Sequence, residues 1–362
     1  MIKKKIIIAT GGTGGHVFPA VSLAKNLEKN YDVKLTTDKR GYNFIKDYEN
    51  LNIVQIFSSP LIKKNVLRLF FSLLIIIISI FKSIFFLILH RPSIVIGAGG
   101  YSSFPICIAA SILRIKFIIY ENNLIIGKTN RFLLPLANKI FVSYKELEGI
   151  PRKHKNKIIQ IGNIIRQEII NSEIKDKINN FENINVLVLG GSQAAKSFAD
   201  ELPQIFKKLK DSNLTIKVFQ QCQKEQKEKL SEFYKKAKID HEIFSFSKNI
   251  IDFYSKTNLV ITRSGASVLG ELVNINLPFI SIPLPSSADN HQYKNAEFYK
   301  NKGYGYLLIE KDIKYKLYDL IKSIFKDKSQ LEKIIYYQKQ YSDKNVFNIL
   351  KIEIEKTINE KN

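Results

Sequence analysis

Four short apolar runs in this chain are each followed closely by a glycine-rich turn and then by a helical pattern. The runs are residues 6–9, 93–96, 185–189 and 259–262, and the turns begin GGTGGHVFPA (11–20), GAGGYSSFP (97–105), GGSQAAKSFA (190–199) and RSGASVLGEL (263–272). Apolar runs without polar alternation are typical of strands buried on both faces of a parallel sheet that helices cover. The sequence therefore predicts an α/β protein with two Rossmann-like, doubly wound parallel-sheet domains that face a cleft.

The glycine turns also predict sites for anions. A glycine turn between a strand and a helix gathers backbone N–H groups at the positive end of the helix dipole, which is the usual geometry of a phosphate site. Two turns precede residue 106 and two follow residue 189, and a basic, turn-rich passage at 150–169 lies between them. We therefore expect an N-terminal domain at 1–163 and a C-terminal domain at 164–340, with a C-terminal helix in 341–362 that packs back on the first domain. Pro19 is expected in the first turn of its helix, where a missing N–H costs nothing.

The familiar nucleotide motifs do not fit these turns. A dinucleotide-binding G-x-G-x-x-G would need glycine at Val17 or Ser102, and a Walker loop ending at 127–129 would need glycine at Asn122. The sequence has no D-x-D carboxylate pair, so no metal and no other cofactor is predicted. Phosphate charge is expected to be met by backbone amides, helix ends and basic side chains.

Net charge is the unusual feature of the composition. Lysine and arginine outnumber aspartate and glutamate by 56 to 33, for a net charge of +23, which suits a polyanionic partner such as nucleic acid or an anionic membrane surface. A/T-rich codon usage would also enrich lysine, so the charge alone selects neither partner. A nucleic-acid-binding or scaffold protein is the less favoured alternative, because the basic residues are dispersed and four glycine turns would be unexplained. Two widely separated cysteines fit a reducing cytoplasm.

The most apolar window, LFFSLLIIIISIFKSIFFLIL at 69–89, is near the length that spans a bilayer. Lys82 interrupts it, at a cost of about 2.5–3.5 kcal/mol near mid-bilayer, and a single crossing would separate two glycine turns assigned to one sheet. We therefore expect a helix within 66–90 with one face in the fold and the other in the membrane surface. The basic residues that frame it are Lys63, Lys64, Arg68, Lys82 and Arg91. A core helix of unusual apolarity is the alternative.

Seven segments of the sequence occur in order over nearly the whole chain: GGTGGHVFPA, GAGGYSSFP, YENN (120–123), GNIIR (162–166), GGSQAA, TRSGAS and DNHQYKNA (289–296). Together they resemble the MurG family of glycosyltransferase family 28, the bacterial UDP-N-acetylglucosamine–lipid I N-acetylglucosaminyltransferases. The resemblance implies the GT-B fold and inverting, metal-independent transfer of GlcNAc from UDP-GlcNAc to the C4 hydroxyl of MurNAc in undecaprenyl-linked lipid I, which forms lipid II. It implies a peripheral protein at the cytoplasmic face of the inner membrane, beside other cell-wall synthesis proteins. A related GT-B enzyme with another lipid acceptor is the alternative.

The resemblance also implies roles for individual residues. His16 is the candidate general base, because an imidazole with an ordinary pKa of about 6.5 accepts a hydroxyl proton at neutral pH; a phosphate contact or a helix cap is an equal alternative. Glu271 is implied to accept hydrogen bonds from both ribose hydroxyls. The other residues implied to bind the donor or its sugar are Thr13, Gly14, Gly15, Asn123, Arg166, Ser192, Ser247, Ala266, Ser267, Val268, Leu269, Gly270, His291 and Gln292, and those implied for the acceptor diphosphate are Gly99, Gly100, Tyr101 and Ser102.

Three of these segments depart from the family pattern. Ala194 stands where glycine is usual, YENN replaces HEQN, and His291 stands where some members have glutamine. These departures leave the predicted phosphate turns and Glu271 in place, so the implied function is unchanged.

Overall fold

The chain divides into two units, Met1–Arg166 with Asp343–Asn362, and Gln167–Ser342. The computed structural model describes residues 3–46, 48, 51–56, 58, 65–172, 181–191, 196–247 and 249–360. The α-helices of these residues are α1 (Gly14–Leu27), α2 (Lys39–Ile45), α3 (Val66–His90), α4 (Ser103–Ile112), α5 (Lys128–Leu133), α6 (Gln167–Ile170), α7 (Lys196–Asp211), α8 (Lys227–Lys236), α9 (Ile250–Tyr254), α10 (Ala266–Asn274), α11 (His291–Asn301), α12 (Ile313–Lys326), α13 (Ser329–Lys339) and α14 (Val346–Asn359).

The first unit is built on a seven-stranded sheet whose neighbouring strands all pair in parallel. Its strands are β1 (Lys5–Ala9), β2 (Asp32–Thr37), β3 (Ile53–Gln55), β4 (Ile94–Gly97), β5 (Phe117–Glu121), β6 (Lys139–Val142) and β7 (Ile158–Gln160), in the spatial order β3-β2-β1-β4-β5-β6-β7. The central strands are buried on both faces, as their continuous apolar runs predict. The strand order reverses between β1 and β4, which is where ligands bind in open α/β sheets.

The second unit repeats this plan with six parallel strands. They are β8 (Ile184–Leu189), β9 (Ile216–Gln221), β10 (Asp240–Phe244), β11 (Leu259–Thr262), β12 (Phe279–Ser281) and β13 (Tyr306–Leu307), in the order β10-β9-β8-β11-β12-β13. Here the order reverses between β8 and β11, where Val188 pairs with Ile261. The predicted α/β class with two doubly wound parallel sheets is confirmed.

Pro19 lies further inside helix α1 than the sequence predicted. The helix begins at Gly14, so Pro19 is its sixth residue and lies in the second turn. The expectation that Pro19 occupies the first turn is therefore wrong. Proline has no N–H for the carbonyl four residues earlier, and the Gly15 carbonyl instead accepts a hydrogen bond from Asn122 Nδ2 at 3.2 Å.

The C-terminal segment returns to the first unit and ends there in α14. Asp343 accepts hydrogen bonds from the backbone N–H of Asn163 at 3.0 Å and from the Asn163 side chain at 3.2 Å. Along α14, Glu355 accepts from the Tyr31 hydroxyl at 3.1 Å and Glu353 pairs with Lys139 at 3.4 Å. These contacts hold the last residues of the chain against the first sheet.

Helix α3 exposes most of its apolar side chains, and the buried residues among its described side chains are three serines together with Leu87. By length and composition alone, Leu67–His90 is apolar enough to cross a membrane, and 22% of its most apolar window is buried. Its buried side includes Ser72, Ser79 and Ser83, whose hydroxyls donate to carbonyls one turn earlier. The exposed apolar residues of this helix are Leu67, Phe70, Phe71, Leu73, Leu74, Ile77, Ile78, Phe81, Phe85, Ile88 and Leu89. Of the basic residues expected to frame the helix, Lys63 and Lys64 lie outside the described residues.

Candidate active site

Two glycine turns meet backbone to backbone where the first sheet reverses its order. Gly99 and Gly100 follow β4 with φ of +85° and +78°, values that favour glycine. A Cβ on Gly99 would lie 2.5 Å from His16 Nδ1, and one on Gly100 would collide with the carbonyl of Gly11 in the turn after β1. The structure therefore brings the His16 ring against the turn predicted for the acceptor diphosphate.

Asp38, at the end of β2, links these two turns. Its Oδ1 accepts from the backbone N–H of Gly12 at 3.0 Å and of Gly41 at 2.9 Å, and its Oδ2 accepts from the Tyr101 hydroxyl. Burial alone would raise the pKa of Asp38, but these hydrogen bonds outweigh burial and hold that pKa below its usual value. Burial, together with the bond to Asp38, raises the pKa of Tyr101 to about 12.

Sequence reasoning missed Asp38, although a usable signal was present. The residue directly follows a β-branched strand, and that strand lies beside β1 in the sheet. The carboxyl ends of neighbouring parallel strands share one edge, so a polar residue there is placed to organise the turns.

Four other predicted residues of the first unit, Thr13, Gly14, Gly15 and Ser102, lie on the same two turns. Thr13 is exposed at the start of α1 and, within the described residues, its side chain makes no capping hydrogen bond; Gly14 is buried and Gly15 exposed. Ser102 is buried, and its hydroxyl accepts a hydrogen bond from the Ser58 hydroxyl at 3.0 Å. The start of α1 therefore presents backbone amides and its dipole to the sheet edge.

The loop after β5 is organised by the buried carboxylate of Glu121. One oxygen accepts from the backbone and side-chain nitrogens of Asn123, at 3.1 and 2.9 Å. The other accepts from Gly127 N at 2.8 Å and Asn130 Nδ2 at 3.0 Å. Glu121 belongs to the YENN segment, but the sequence predicted no role for it. In the structure it fixes the conformation of Asn123, the residue predicted to contact the sugar.

The second unit has its own glycine turn where its sheet reverses. Gly191 follows β8 with φ of +85°, and a Cβ there would meet nothing within 4 Å among the described residues. Predicted Ser192 lies outside the described residues. Helix α10 starts after Gly265 and follows β11, the strand that pairs with β8. Of its predicted residues other than Glu271, three are buried and two are partly exposed: Ala266, Leu269 and Gly270, and Ser267 and Val268, respectively.

Glu271 lies in the second turn of α10 and is 7% exposed, so it is not an ordinary surface residue. Its Oε2 accepts a hydrogen bond from the buried Tyr254 hydroxyl at 3.1 Å. A carboxylate oriented in this way suits the predicted recognition of a diol.

The remaining predicted residues occupy loops and helix starts. Ser247 is partly buried, and its hydroxyl accepts from Asn249 N at 3.2 Å. Gln292 Oε1 accepts from Leu284 N at 2.9 Å, and His291 Nδ1 lies 2.7 Å from the Ala288 carbonyl oxygen. Arg166 is partly buried at the end of the first unit's main segment.

Arg263 is a third organising residue that the sequence did not single out. Its guanidinium, 5% exposed, donates to Ser197 Oγ and pairs with Glu310 Oε1, both at 2.8 Å, and it stacks over the Phe198 ring at 4.5 Å. Burial raises the pKa of Glu310, but the bonds from Arg263 and Ser197 lower it below its usual value overall. The arginine therefore ties the start of α7 to the end of β11. Its position directly after a buried strand was the available signal.

In the described part of the chain, no three His, Cys, Asp or Glu side chains are grouped as metal ligands. The glycine turns and the starts of α1 and α10 carry backbone N–H groups of the kind that bind phosphate in proteins.

Two doubly wound parallel sheets, each with a glycine turn at the reversal of strand order, are the architecture of the GT-B fold. The crystal structure of Acinetobacter baumannii MurG has this fold, with a TM-score of 0.78 and 24% identity over 98% of this chain and 99% of that chain. The Staphylococcus aureus MnaA–UDP co-structure shares the fold with a TM-score of 0.65 and 17% identity, over 99% of both chains.

The particular family follows from sequence comparison. Residues 6–142 match the glycosyltransferase family 28 N-terminal domain and residues 185–346 the family's C-terminal domain. A protein of Pelagibacter ubique (strain HTCC1062), named UDP-N-acetylglucosamine–N-acetylmuramyl-(pentapeptide) pyrophosphoryl-undecaprenol N-acetylglucosamine transferase, is 38% identical over 99% of this chain and 100% of its own length. The protein of that name from Rickettsia bellii (strain RML369-C) is 38% identical over 86% of this chain and 87% of its own. The chain belongs to glycosyltransferase family 28.

Proposed function

We propose that this enzyme transfers GlcNAc from UDP-GlcNAc to the C4 hydroxyl of MurNAc in lipid I, forming lipid II for peptidoglycan synthesis. The observation that carries the proposal is the identity of 38% to a relative of that name over the full length of both chains. The glycine turns that the family resemblance implies for the substrates are present in both units, and Glu271 is buried.

The reaction is a single displacement with inversion. The C4 hydroxyl oxygen attacks C1 of GlcNAc, the bond from C1 to the UDP phosphate oxygen breaks, and UDP leaves with the electron pair. The hydroxyl proton passes to a base, and His16 is our candidate because its ring lies against the proposed acceptor turn. Negative charge that develops on UDP is stabilised by backbone amides and helix N-termini, with no cation required.

We assign the donor to the second unit. The diphosphate would lie on the amides of Gly190, Gly191 and the start of α10, and Ser192 and Ser267 would add polar contacts. Glu271 would accept from both ribose hydroxyls, with Tyr254 fixing one carboxylate oxygen. Ser247 would lie beside the uracil, and His291 and Gln292 beside the sugar hydroxyls.

We assign the acceptor to the first unit, with its diphosphate on Gly99 to Ser102 and the start of α1. The support is geometric: both turns lie at one sheet edge, Gly100 lacks a side chain where the backbone of Gly11 approaches, and Gly11 lacks one where the Ser102 side chain approaches. Asp38 keeps the two turns together without presenting its charge to the diphosphate, since its oxygens are occupied by Gly12, Gly41 and Tyr101.

We propose that α3 rests in the membrane surface that carries the acceptor. A helix at the water-exposed surface of a globular protein turns its apolar side inward. Helix α3 instead buries three serines and exposes most of its leucine, isoleucine and phenylalanine side chains. Exposed Ile112, Phe132 and Leu136 lie on or just after α4 and α5, which pack in succession beside α3. Arg68, Lys82 and Arg91 would meet anionic headgroups at the cytoplasmic face.

Transfer of radiolabelled GlcNAc distinguishes this proposal from its alternative. Purified protein is incubated with UDP-GlcNAc and either lipid I or diacylglycerol, with and without EDTA. We expect product from lipid I only, at a rate that EDTA leaves unchanged. Product from diacylglycerol alone would assign the chain to another acceptor, and loss of rate with EDTA would contradict the metal-independent mechanism.

A further inference from the structure

A chain of amide hydrogen bonds joins the loop after β5 to the first turn of α1. Asn122 Nδ2 donates to the Gly15 carbonyl at 3.2 Å, and Asn122 Oδ1 accepts from Asn123 Nδ2 at 3.1 Å. The Asn123 amide also donates to Glu121 Oε1 at 2.9 Å. Asn122, itself 6% exposed, thus contacts both Asn123 and the residue that precedes His16.

The sequence of α1 explains why a side chain bonds to the Gly15 carbonyl. In an α-helix that carbonyl accepts from the N–H of the residue four positions later, which here is Pro19 and has none. Asn122 supplies a donor at this point. A bond internal to the helix is therefore replaced by one that ties the helix's first turn to a separate strand end.

We propose that Asn122 is a positioning residue for glycosyl transfer: it holds His16 and Asn123 in one fixed arrangement without contacting either substrate. The proposal rests on the proposed function, with His16 as the candidate base and Asn123 as the residue that the family resemblance implies for the sugar. The His16 ring also packs against Gly99, so a shift of the first turn of α1 displaces the ring relative to the acceptor turn. Such displacement weakens catalysis more than substrate binding.

The first test separates turnover from binding. We expect Asn122→Ala to lower kcat about tenfold or more while the KM for UDP-GlcNAc changes less than about twofold. Asn122→Gln, which keeps the amide on a longer stem, should recover most of kcat. A kcat of Asn122→Ala within about twofold of the parent would overturn the proposal.

Pro19→Ala provides the matched control, because it restores an N–H for the Gly15 carbonyl without restoring the link to Asn123. In the double variant Pro19→Ala/Asn122→Ala, we expect the melting temperature to match that of Pro19→Ala alone while kcat stays low. If kcat recovers together with the melting temperature, Asn122 merely satisfies a carbonyl and the positioning role is wrong.

Nuclear magnetic resonance of the His16 imidazole supplies a readout that does not depend on turnover. We expect its ring resonances to shift in Asn122→Ala and in the double variant, and to stay near the parent values in Pro19→Ala. Unchanged resonances in all three variants would overturn the proposal. A parent protein that is inactive with lipid I but shows these shifts would contradict the proposed function and leave the positioning of His16 supported.

Discussion

At the scale of single residues, Asp38 and Glu271 are buried carboxylates that accept hydrogen bonds in the proposed sites. Asp38 accepts from three donors on separate segments, and Glu271 accepts from Tyr254. Hydrogen bonds to a charged acceptor are stronger than those between neutral groups. Removing the charge of either carboxylate should therefore have a measurable effect.

We expect Asp38→Asn to destabilise the protein at neutral pH by about 1–3 kcal/mol, because an amide cannot accept all three bonds. The folded-state pKa of Asp38 is lowered, so its contribution is fully present above the unfolded pKa of about 3.9 and is lost as the pH falls through the lower folded value. Urea unfolding at pH 7 and at progressively lower pH below 4 measures this. The free energies of unfolding of parent and variant should approach each other in acid. A difference that stays constant would contradict the stabilising role of the Asp38 carboxylate.

We expect Glu271→Gln to raise the KM for UDP-GlcNAc about tenfold or more, since the two charge-assisted hydrogen bonds that we propose to the ribose would be weakened. Tyr254→Phe, which removes only the bond that orients the carboxylate, should have a smaller effect in the same direction. Isothermal titration calorimetry with UDP gives the affinity directly. Unchanged affinity for UDP in Glu271→Gln would refute the ribose contact.

At the scale of secondary structure, α3 is the element whose polarity is reversed. Helix α3 packs against α4 and buries three serines, while four of its phenylalanines are exposed. Small inward residues with apolar outward ones are typical of helices in lipid. If the exposed apolar face of α3 were in water instead, it would favour aggregation.

We expect Phe81→Ser combined with Phe85→Ser to lower partition into phosphatidylglycerol vesicles at least tenfold, because burial of one phenylalanine in an apolar phase contributes about 1.5–3 kcal/mol. These side chains are 68% and 71% exposed, so the melting temperature should not fall. Tyr315→Ser, at a position 76% exposed in the second unit, is the matched control and should bind like the parent. Equal vesicle binding by all variants would exclude α3 as the membrane contact.

At the scale of the whole molecule, the chain leaves the first unit after Arg166 and returns to it at Asp343. The return is secured where Gly162 adopts φ of +97° directly against the Asp343 carboxylate. The fold of the first unit therefore depends on residues from both ends of the sequence.

We expect Gly162→Ala to destabilise the protein by about 3 kcal/mol, from a left-handed backbone cost of roughly 1–2 kcal/mol and a collision with Asp343 Oδ1. Gly191→Ala isolates the backbone cost, because its φ is +85° and its Cβ would enter open space within the described residues. Thermal unfolding of both variants measures the difference. Equal losses would show that the contact with Asp343 is unimportant.

The sequence by itself determined the class of fold, because apolar runs and glycine turns are local patterns with one steric outcome: buried parallel strands that end in open turns. It also predicted the apolar helix near residues 66–90. The roles of His16, Glu271 and the other site residues remain predictions. Only the tertiary structure decided that Asp38, Asn122 and Arg263 organise these turns, and that Pro19 lies in a second helical turn. Their partners are distant in sequence, and they meet because parallel pairing brings the carboxyl ends of β2, β1, β4 and β5 to one edge, and those of β8, β11 and β12 to another. No local pattern encodes that order of strands.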